Sequence, residues 1–228
     1  MYKILKGVTG FLLLMLTFQG LRAQEHPRFY EEIQQFKKKD SASFPPANAI
    51  LFVGSSSFTK WTDVQSWFPG YTIINRGFGG STLPDVIRYA NDIIFPYHPR
   101  QVVIYCGEND FEEADSLTVQ TVFGRFKQLF QLIRSKMPGE SIVYISMKPS
   151  PSRAGRRKKQ EGANKLVKDF ISIQKNASFV DVFHKMLDKE GKPMPEIFLD
   201  DSLHMNAKGY VIWQKAIGPH LLKDKNKP

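Results

Sequence analysis

One cysteine in 228 residues excludes an intramolecular disulfide framework and any cysteine-rich zinc module. Histidine is scarce too, with five residues, and no His-x-x-x-His spacing offers two imidazoles to a metal from one helix turn. The glycine-rich segments lack the Lys-Ser/Thr that follows in a phosphate-binding loop. Internal repeats and low-complexity tracts are absent. Beyond residue 24 every hydrophobic run is short or interrupted, whereas a bilayer span takes about 20 apolar residues. These shortages leave a single folded domain for which no metal and no cofactor is expected. A chain of this length buries a core without covalent or metal staples. Its 13% aromatic residues and frequent apolar runs oppose disorder as the main state.

Residues 1–23 read as a secretory signal peptide. Lys3 and Lys6 make a positive start, Val8 to Phe18 is apolar, and Arg22 and Ala23 follow. Basic, apolar, small-residue exit is the order of an export leader, with cleavage expected after Ala23. The alternative is an uncleaved membrane anchor. No cysteine follows the apolar run to carry a lipid, so no stable membrane anchor is expected after cleavage, and the destination is periplasmic or secreted. Loss of Lys3, Lys6 and Arg22 leaves 29 of 32 basic residues against 22 acidic ones, net +7, a bias toward anionic surfaces or polymers and nothing sharper. The lone Cys106 lies within Val102-Val103-Ile104-Tyr105-Cys106 and reads as buried and inert.

The remainder alternates between two periodicities. Residues 24–48 read as an N-terminal helix and connector: Phe29, Ile33 and Phe36 share one helix face, and Ser43-Phe44-Pro45-Pro46 ends it. Five compact apolar runs follow within 49–228: Ala49 to Val53, Tyr71 to Asn75, Gln101 to Cys106, Ser141 to Ser146 and Ser178 to Val182. Short runs without clean alternation are expected of strands buried on both faces, as in parallel sheets. Between them lie helical patterns: Pro84 at a first helical position ahead of Val86, Ala90 and Ile93; Val119 to Ile133; Leu166 to Ile171; and a last helix with Tyr210, Val211, Trp213 and Ile217 that Asn206 can cap. Strands alternating with helices predict an α/β sandwich.

In such a fold, chemistry gathers beyond the carboxyl ends of the strands. After the first strand comes Gly54-Ser55-Ser56-Ser57; after the second, Asn75-Arg76-Gly77-Phe78-Gly79-Gly80-Ser81; after the third, Gly107-Glu108-Asn109-Asp110; and before the last helix, Asp201-Ser202-Leu203-His204. Together these four segments supply the parts of nucleophilic acyl transfer.

They resemble the four blocks of the SGNH, or GDSL-type, hydrolase family. Gly54-Ser55-Ser56 is similar to the Gly-Asp-Ser block, which puts Ser56 at the nucleophile position. The second segment puts Gly80 at the oxyanion glycine. Gly107-Glu108-Asn109-Asp110 resembles Gly-x-Asn-Asp, with Asn109 as the oxyanion amide. Asp201-Ser202-Leu203-His204 matches Asp-x-x-His. The resemblance runs from about Ile50 to the C-terminal helix. It implies a flavodoxin-like three-layer α/β/α sandwich with a five-stranded, mainly parallel sheet, and serine esterase chemistry. Ser55 departs from the family's Asp, a structural residue, and three consecutive serines leave Ser55 and Ser57 as register alternatives. Asp110 reads as structural.

The chemistry follows from the residue types. A serine hydroxyl needs a base to take its proton, and imidazole is suited to that near neutrality. A carboxylate on the other ring nitrogen fixes the tautomer; Asp201 can do this from the same loop, with Asp200 as runner-up. The backbone N–H groups of Ser56 and Gly80 and the side-chain amide of Asn109 are the candidate oxyanion donors. His26, His98, His184 and His220 read as structural or surface residues. Trp61, Trp67, Phe78 and Phe111 are candidates for lining a substrate groove, with core packing the competing reading for Trp67. The basic run Arg153, Arg156, Arg157, Lys158 and Lys159 reads as a solvated helix start that can edge the site. No nucleic-acid partner is expected. The expected substrate is a small-molecule or carbohydrate ester with a short acyl group, acetyl-carbohydrate first and lysolipid second. The competing class is a non-catalytic carbohydrate- or anionic-polymer-binding protein on the same fold.

Overall fold

A computed structural model describes residues 26–223. The leader expected at residues 1–23 lies outside the described residues. In chain order the elements are α1 (Tyr30–Ala42), β1 (Ile50–Gly54), α2 (Ser56–Thr59), α3 (Val64–Trp67), β2 (Ile73–Gly77), α4 (Leu83–Arg88), α5 (Ala90–Ile93), β3 (Gln101–Tyr105), α6 (Asp110–Glu113), α7 (Val119–Lys136), β4 (Ser141–Ile145), α8 (Arg157–Ser172), β5 (Ala177–Val180) and α9 (Ala207–Ile217). The five strands form one all-parallel sheet in the order β2-β1-β3-β4-β5.

The central strands β1, β3 and β4 are buried on both faces, which is why their runs lack alternation, whereas the edge strands β2 and β5 are only partly buried. Leu51, Val53, Val102, Ile104, Ile142 and Tyr144 face one layer of helices, α1, α4, α5, α7 and α8. Ile50, Phe52, Val103, Tyr105, Val143 and Ile145 face the other, made by α2, α3 and α9. The result is the three-layer α/β/α sandwich. α1 belongs to it: Ile33 is buried, and Asp40 near its end binds Arg76 of β2 and the Tyr97 hydroxyl, while Arg76 Nε donates to that hydroxyl at 2.7 Å.

β5 ends at Val180, two residues short of the expected Val182, and two other elements also differ from the sequence expectation. β2 runs two residues further, to Gly77, because Asn75 and Arg76 on this edge strand have side-chain partners; Asn75 Nδ2 donates to the carbonyls of Phe58 and Trp61 at 2.8 and 3.3 Å. The helix expected from Pro84 through Ile93 is broken at Tyr89 (φ −98°, ψ 9°), where the hydroxyl donates at 2.8 Å to the carbonyl of Arg28. Its start is fixed by Asp85, whose carboxylate accepts from the Thr82 N–H at 3.0 Å and hydroxyl at 2.7 Å.

Register aligns the strand ends. Gly54 of β1 pairs with Gly77 of β2 and with Tyr105 of β3. The segments that follow these three strands therefore leave the sheet along one edge, where the strand order reverses around β1.

Candidate active site

Gly54 lets β1 turn sharply toward solvent. Its φ is +137°, and a Cβ there would lie 1.9 Å from the Tyr105 carbonyl oxygen, so only glycine fits. Ser55 is buried and its N–H donates to that same carbonyl at 3.0 Å. Ser56 opens α2 and is partly exposed, whereas Ser57 points into the protein.

On the opposite side of the cleft, Asp201-Ser202-Leu203-His204 is a tightly wound loop. Asp201 Oδ1 accepts from the N–H groups of Leu203 at 2.9 Å and His204 at 2.8 Å. Ser202 adopts a left-handed φ of 54°. The Leu199 N–H donates to the His204 carbonyl at 2.7 Å. Asn206 caps α9 by accepting from the N–H groups of Lys208 and Gly209, and its own amide donates to the carbonyls of Glu196 and Phe198. This cap ties the loop to the helix.

The two segments meet. His204 Nε2 lies 2.9 Å from Ser56 Oγ, and His204 Nδ1 lies 2.6 Å from Asp201 Oδ2. A carboxylate only accepts, so Nδ1 carries the ring proton and Nε2 is left to accept from the serine hydroxyl. The hydrogen bond to the His204 ring first, and then the one from the His204 N–H, hold the Asp201 carboxyl well below the usual carboxylate range; burial opposes them, and the Leu203 N–H adds a smaller lowering effect. Asp200, the runner-up, is exposed and makes no hydrogen bond to His204 among the described residues.

Gly79 and Gly80 approach from β2. A Cβ on Gly79 would lie 3.9 Å from the Ser56 Cβ, and Gly80 has φ +83° with its carbonyl accepting from Arg28 at 3.0 Å. Among the described residues, neither the Ser56 nor the Gly80 N–H has an acceptor. Asn109 comes from the loop after β3. Its Nδ2 donates to the Ser81 carbonyl at 3.0 Å and its Oδ1 accepts from Arg153 at 2.8 Å. The structure thus brings Ser56, Gly80, Asn109, Asp201 and His204 to one edge of the sheet.

Asp110 is buried beneath this edge and braces it, accepting from the Leu83 N–H at 3.0 Å and from Arg125 at 2.8 Å. Burial raises its pKa to about 6, with the Arg125 and Leu83 hydrogen bonds offsetting only part of the penalty. The native state then holds this proton more tightly than the unfolded chain does. The contribution of Asp110 to stability is expected to decline as pH rises from about 4 to about 6 and to stay constant above. Urea unfolding of the parent and of Asp110→Asn across pH 4 to 8 checks this. A stability difference that does not change over that interval would rule out a raised carboxyl pKa.

Several residues differ from the sequence expectation. Trp61, Phe78 and Phe111 are at most 1% exposed and belong to the core, although Phe78 also borders a groove beside Gly79; Trp61 packs among Phe68, Tyr210 and Trp213. Trp67 is half-buried against Trp61 and Tyr210 and donates to Asp63 at 3.0 Å. The basic run is largely spent on partners: Arg153 on Glu108 and Asn109, Arg156 on Glu112 and Asp115, and Lys159 on the carbonyls of Asp115 and Leu117. Sequence reading did not find Arg28 at Gly80 or the buried Glu108. The available signal for Glu108 was a charged residue between Gly107 and Asn109, directly after a strand buried on both faces.

A family model for GDSL-like lipases/acylhydrolases matches residues 48–212, most of the chain, and the chain belongs to that family. Solved structures with the same fold include a Streptococcus pneumonia protein proposed to be a platelet activating factor, at 22% identity and TM-score 0.73, covering 84% of this chain and 92% of that one. A GDSL-like lipase from Bacteroides thetaiotaomicron aligns at 21% identity and TM-score 0.66, with 82% and 95% covered. An acetylxylan esterase from Geobacillus stearothermophilus aligns at 16% identity and TM-score 0.62, with 79% and 96% covered. A search of the curated proteins gave no match.

Proposed function

We propose that this chain is an exported serine esterase that removes short acyl groups, acetyl first, from a carbohydrate. The observation that carries the reading is the continuous hydrogen-bonded chain Ser56–His204–Asp201 beside two backbone N–H groups, of Ser56 and Gly80, that have no acceptor among the described residues. In this reading Ser56 Oγ attacks the ester carbonyl while His204 Nε2 takes its proton. The negative charge that develops on the carbonyl oxygen is met by the N–H groups of Ser56 and Gly80 and by the free hydrogen of Asn109 Nδ2. His204 then protonates the departing alcohol, leaving an acyl group on Ser56. Water, deprotonated by His204, attacks the acyl-enzyme and releases the carboxylic acid, and the proton returns to Ser56. Asp201 holds the tautomer and stabilises the imidazolium in both halves.

Carbohydrate ranks ahead of lysolipid as the leaving group because of the groove at Gly79, where an added Cβ would lie 3.9 Å from the Ser56 Cβ. A groove of about 380 Å³ runs past Gly77 and Gly79, lined by the polar side chains of Glu32, Gln35, Lys39, Thr59, Thr62 and Asn75 together with Phe36 and Phe78. Polar side chains interleaved with aromatic ones give a sugar both hydroxyl partners and a face to pack against. The fold shared with the acetylxylan esterase supports the same order by analogy. Export rests on the leader pattern of residues 1–23; among the described residues no helix is long and apolar enough to cross a membrane.

The purified chain is expected to hydrolyse p-nitrophenyl acetate faster than p-nitrophenyl esters of eight or more carbons, and to release acetate from acetylated xylo-oligosaccharides. Faster turnover of the long-chain esters, or of lysophosphatidylcholine, would move the substrate to lipids. Binding of the glycan with no ester cleavage would make the chain a carbohydrate-binding protein on this fold.

A further inference from the structure

The segment that leaves β4, Lys148-Pro149-Ser150-Pro151-Ser152-Arg153, converges on one buried carboxylate. Lys148 and Ser150 are 1% and 2% exposed and Glu108 is 3% exposed. Lys148 Nζ lies 2.8 and 3.1 Å from the two Glu108 oxygens, Ser150 Oγ lies 3.3 Å from Oε1, and the Tyr105 hydroxyl donates to Oε2. One terminal nitrogen of Arg153 adds a contact at 3.0 Å to Oε1. Burial is the largest single influence and opposes ionisation of Glu108, but the Lys148 and Arg153 charges and the hydrogen bonds from Lys148 and Tyr105 together outweigh it and hold the carboxyl below its ordinary pKa. A buried carboxylate with this many donors is a fixed point.

Arg153 carries that fixed point to the next residue in the chain. Its other terminal nitrogen donates to Asn109 Oδ1 at 2.8 Å. A guanidinium only donates and the Ser81 carbonyl only accepts, so the two partners together permit one orientation of the Asn109 amide: Oδ1 toward Arg153 and Nδ2 toward Ser81. One Nδ2 hydrogen is spent on Ser81. The other has no acceptor among the described residues, and the Arg153 charge at Oδ1 polarises the amide and strengthens it as a donor. The same segment touches the opposite side of the cleft, since the Ser152 N–H donates at 3.1 Å to the carbonyl of Ser202, the residue after Asp201.

We propose that Arg153, clamped by Glu108, is a positioning residue that orients the Asn109 amide toward the developing oxyanion. The proposal rests on the reading of Asn109 as an oxyanion donor. Arg153 is 15% exposed at its side chain, and its removal leaves Glu108 paired with Lys148, Tyr105 and Ser150. The fold is therefore expected to survive Arg153→Ala.

The test is a double-mutant cycle on p-nitrophenyl acetate hydrolysis, reading kcat and KM separately, with thermal melts by circular dichroism. Asn109→Ala is expected to lower kcat about 10²–10³-fold, as removal of an oxyanion donor does. Arg153→Ala is expected to lower kcat about 10-fold or more with KM within about twofold, and to cost less than about twofold further in the Asn109→Ala background. Arg153→Lys keeps a charge but not the planar fork that reaches two acceptors, and is expected to melt like the parent while remaining slow. Equal losses from Arg153→Ala in both backgrounds, a rise in KM alone, or full activity of Arg153→Lys overturns the proposal. Asn109→Ala at the parental rate sinks the oxyanion reading and the brace with it. A slow Asn109→Ala beside a parental Arg153→Ala sinks the brace alone.

Discussion

Asp201→Asn is expected to lower ester turnover about 10⁴-fold, the scale seen when a triad carboxylate becomes an amide, and Asp200→Asn to leave it close to the parent. The difference follows from which atoms face His204. Asn at 201 can still accept the Leu203 and His204 N–H bonds through its carbonyl oxygen, which preserves the loop now held at 2.9 and 2.8 Å. That choice turns the amide nitrogen toward His204 Nδ1, now 2.6 Å from Asp201 Oδ2. A donor there forces Nδ1 to be the acceptor and moves the ring proton to Nε2. The imidazole then points a hydrogen at Ser56 Oγ instead of a lone pair and cannot take the serine proton. Asp200 is exposed and has no such contact. Turnover of p-nitrophenyl acetate by both variants at several pH values, with circular dichroism as a folding control, decides the matter. A larger loss in Asp200→Asn would shift the acid by one residue. Parental rates in both would leave His204 working with Ser56 alone, or remove it from the role of base.

The strands were legible because each is a short apolar run cut off by glycine or a polar segment. A strand covered on both faces has no other way to look. The ends of β1, β3 and β4 were legible to within a residue for the same reason, and the register of Gly54 with Gly77 and Tyr105 turns three separate strand ends into one edge. The second strand was read two residues out of place because Asn75 and Arg76 look like loop until their tertiary partners are known. Aromatic residues near the motifs misled for a different reason. Phe78 follows Gly77 directly, and its N–H donates back to Gly54 at 2.9 Å; that turn, which composition does not encode, sends the ring into the core. Local sequence was also silent on Arg28 and Arg153, whose contacts with Gly80 and Asn109 join residues 52 and 44 positions apart. The basic run looked like one solvated face because charge runs usually are. Here Arg153, Arg156 and Lys159 are held by groups on the segment between β3 and α7.

Ser56→Ala is expected to remove about 10³-fold or more of the esterase turnover and to leave the fold intact. Three consecutive serines present three hydroxyls, and burial separates them. Ser55 is 4% exposed and Ser57 is 1% exposed. The Ser55 carbonyl is already committed to the Phe58 and Thr59 N–H groups at the start of α2, and the Ser57 carbonyl accepts from Tyr210 at 2.9 Å. Of the three, Ser56 combines exposure to the cleft with an imidazole 2.9 Å from its hydroxyl. Deleting one partly exposed oxygen creates no core cavity, so stability is expected to change by no more than about 0.5–1 kcal/mol. The oxyanion donors and His204 remain in the variant, which is why a residual rate above the uncatalysed reaction is expected. A fluorophosphonate probe reports the nucleophile independently of rate, because it bonds covalently to an activated serine. Peptide mapping of the labelled parent is expected to find the phosphonate on Ser56, and Ser56→Ala to take up none while melting at the parental temperature. Label on Ser55 or Ser57 would place the nucleophile one residue away, and undiminished turnover in Ser56→Ala would end the serine-esterase reading of this site.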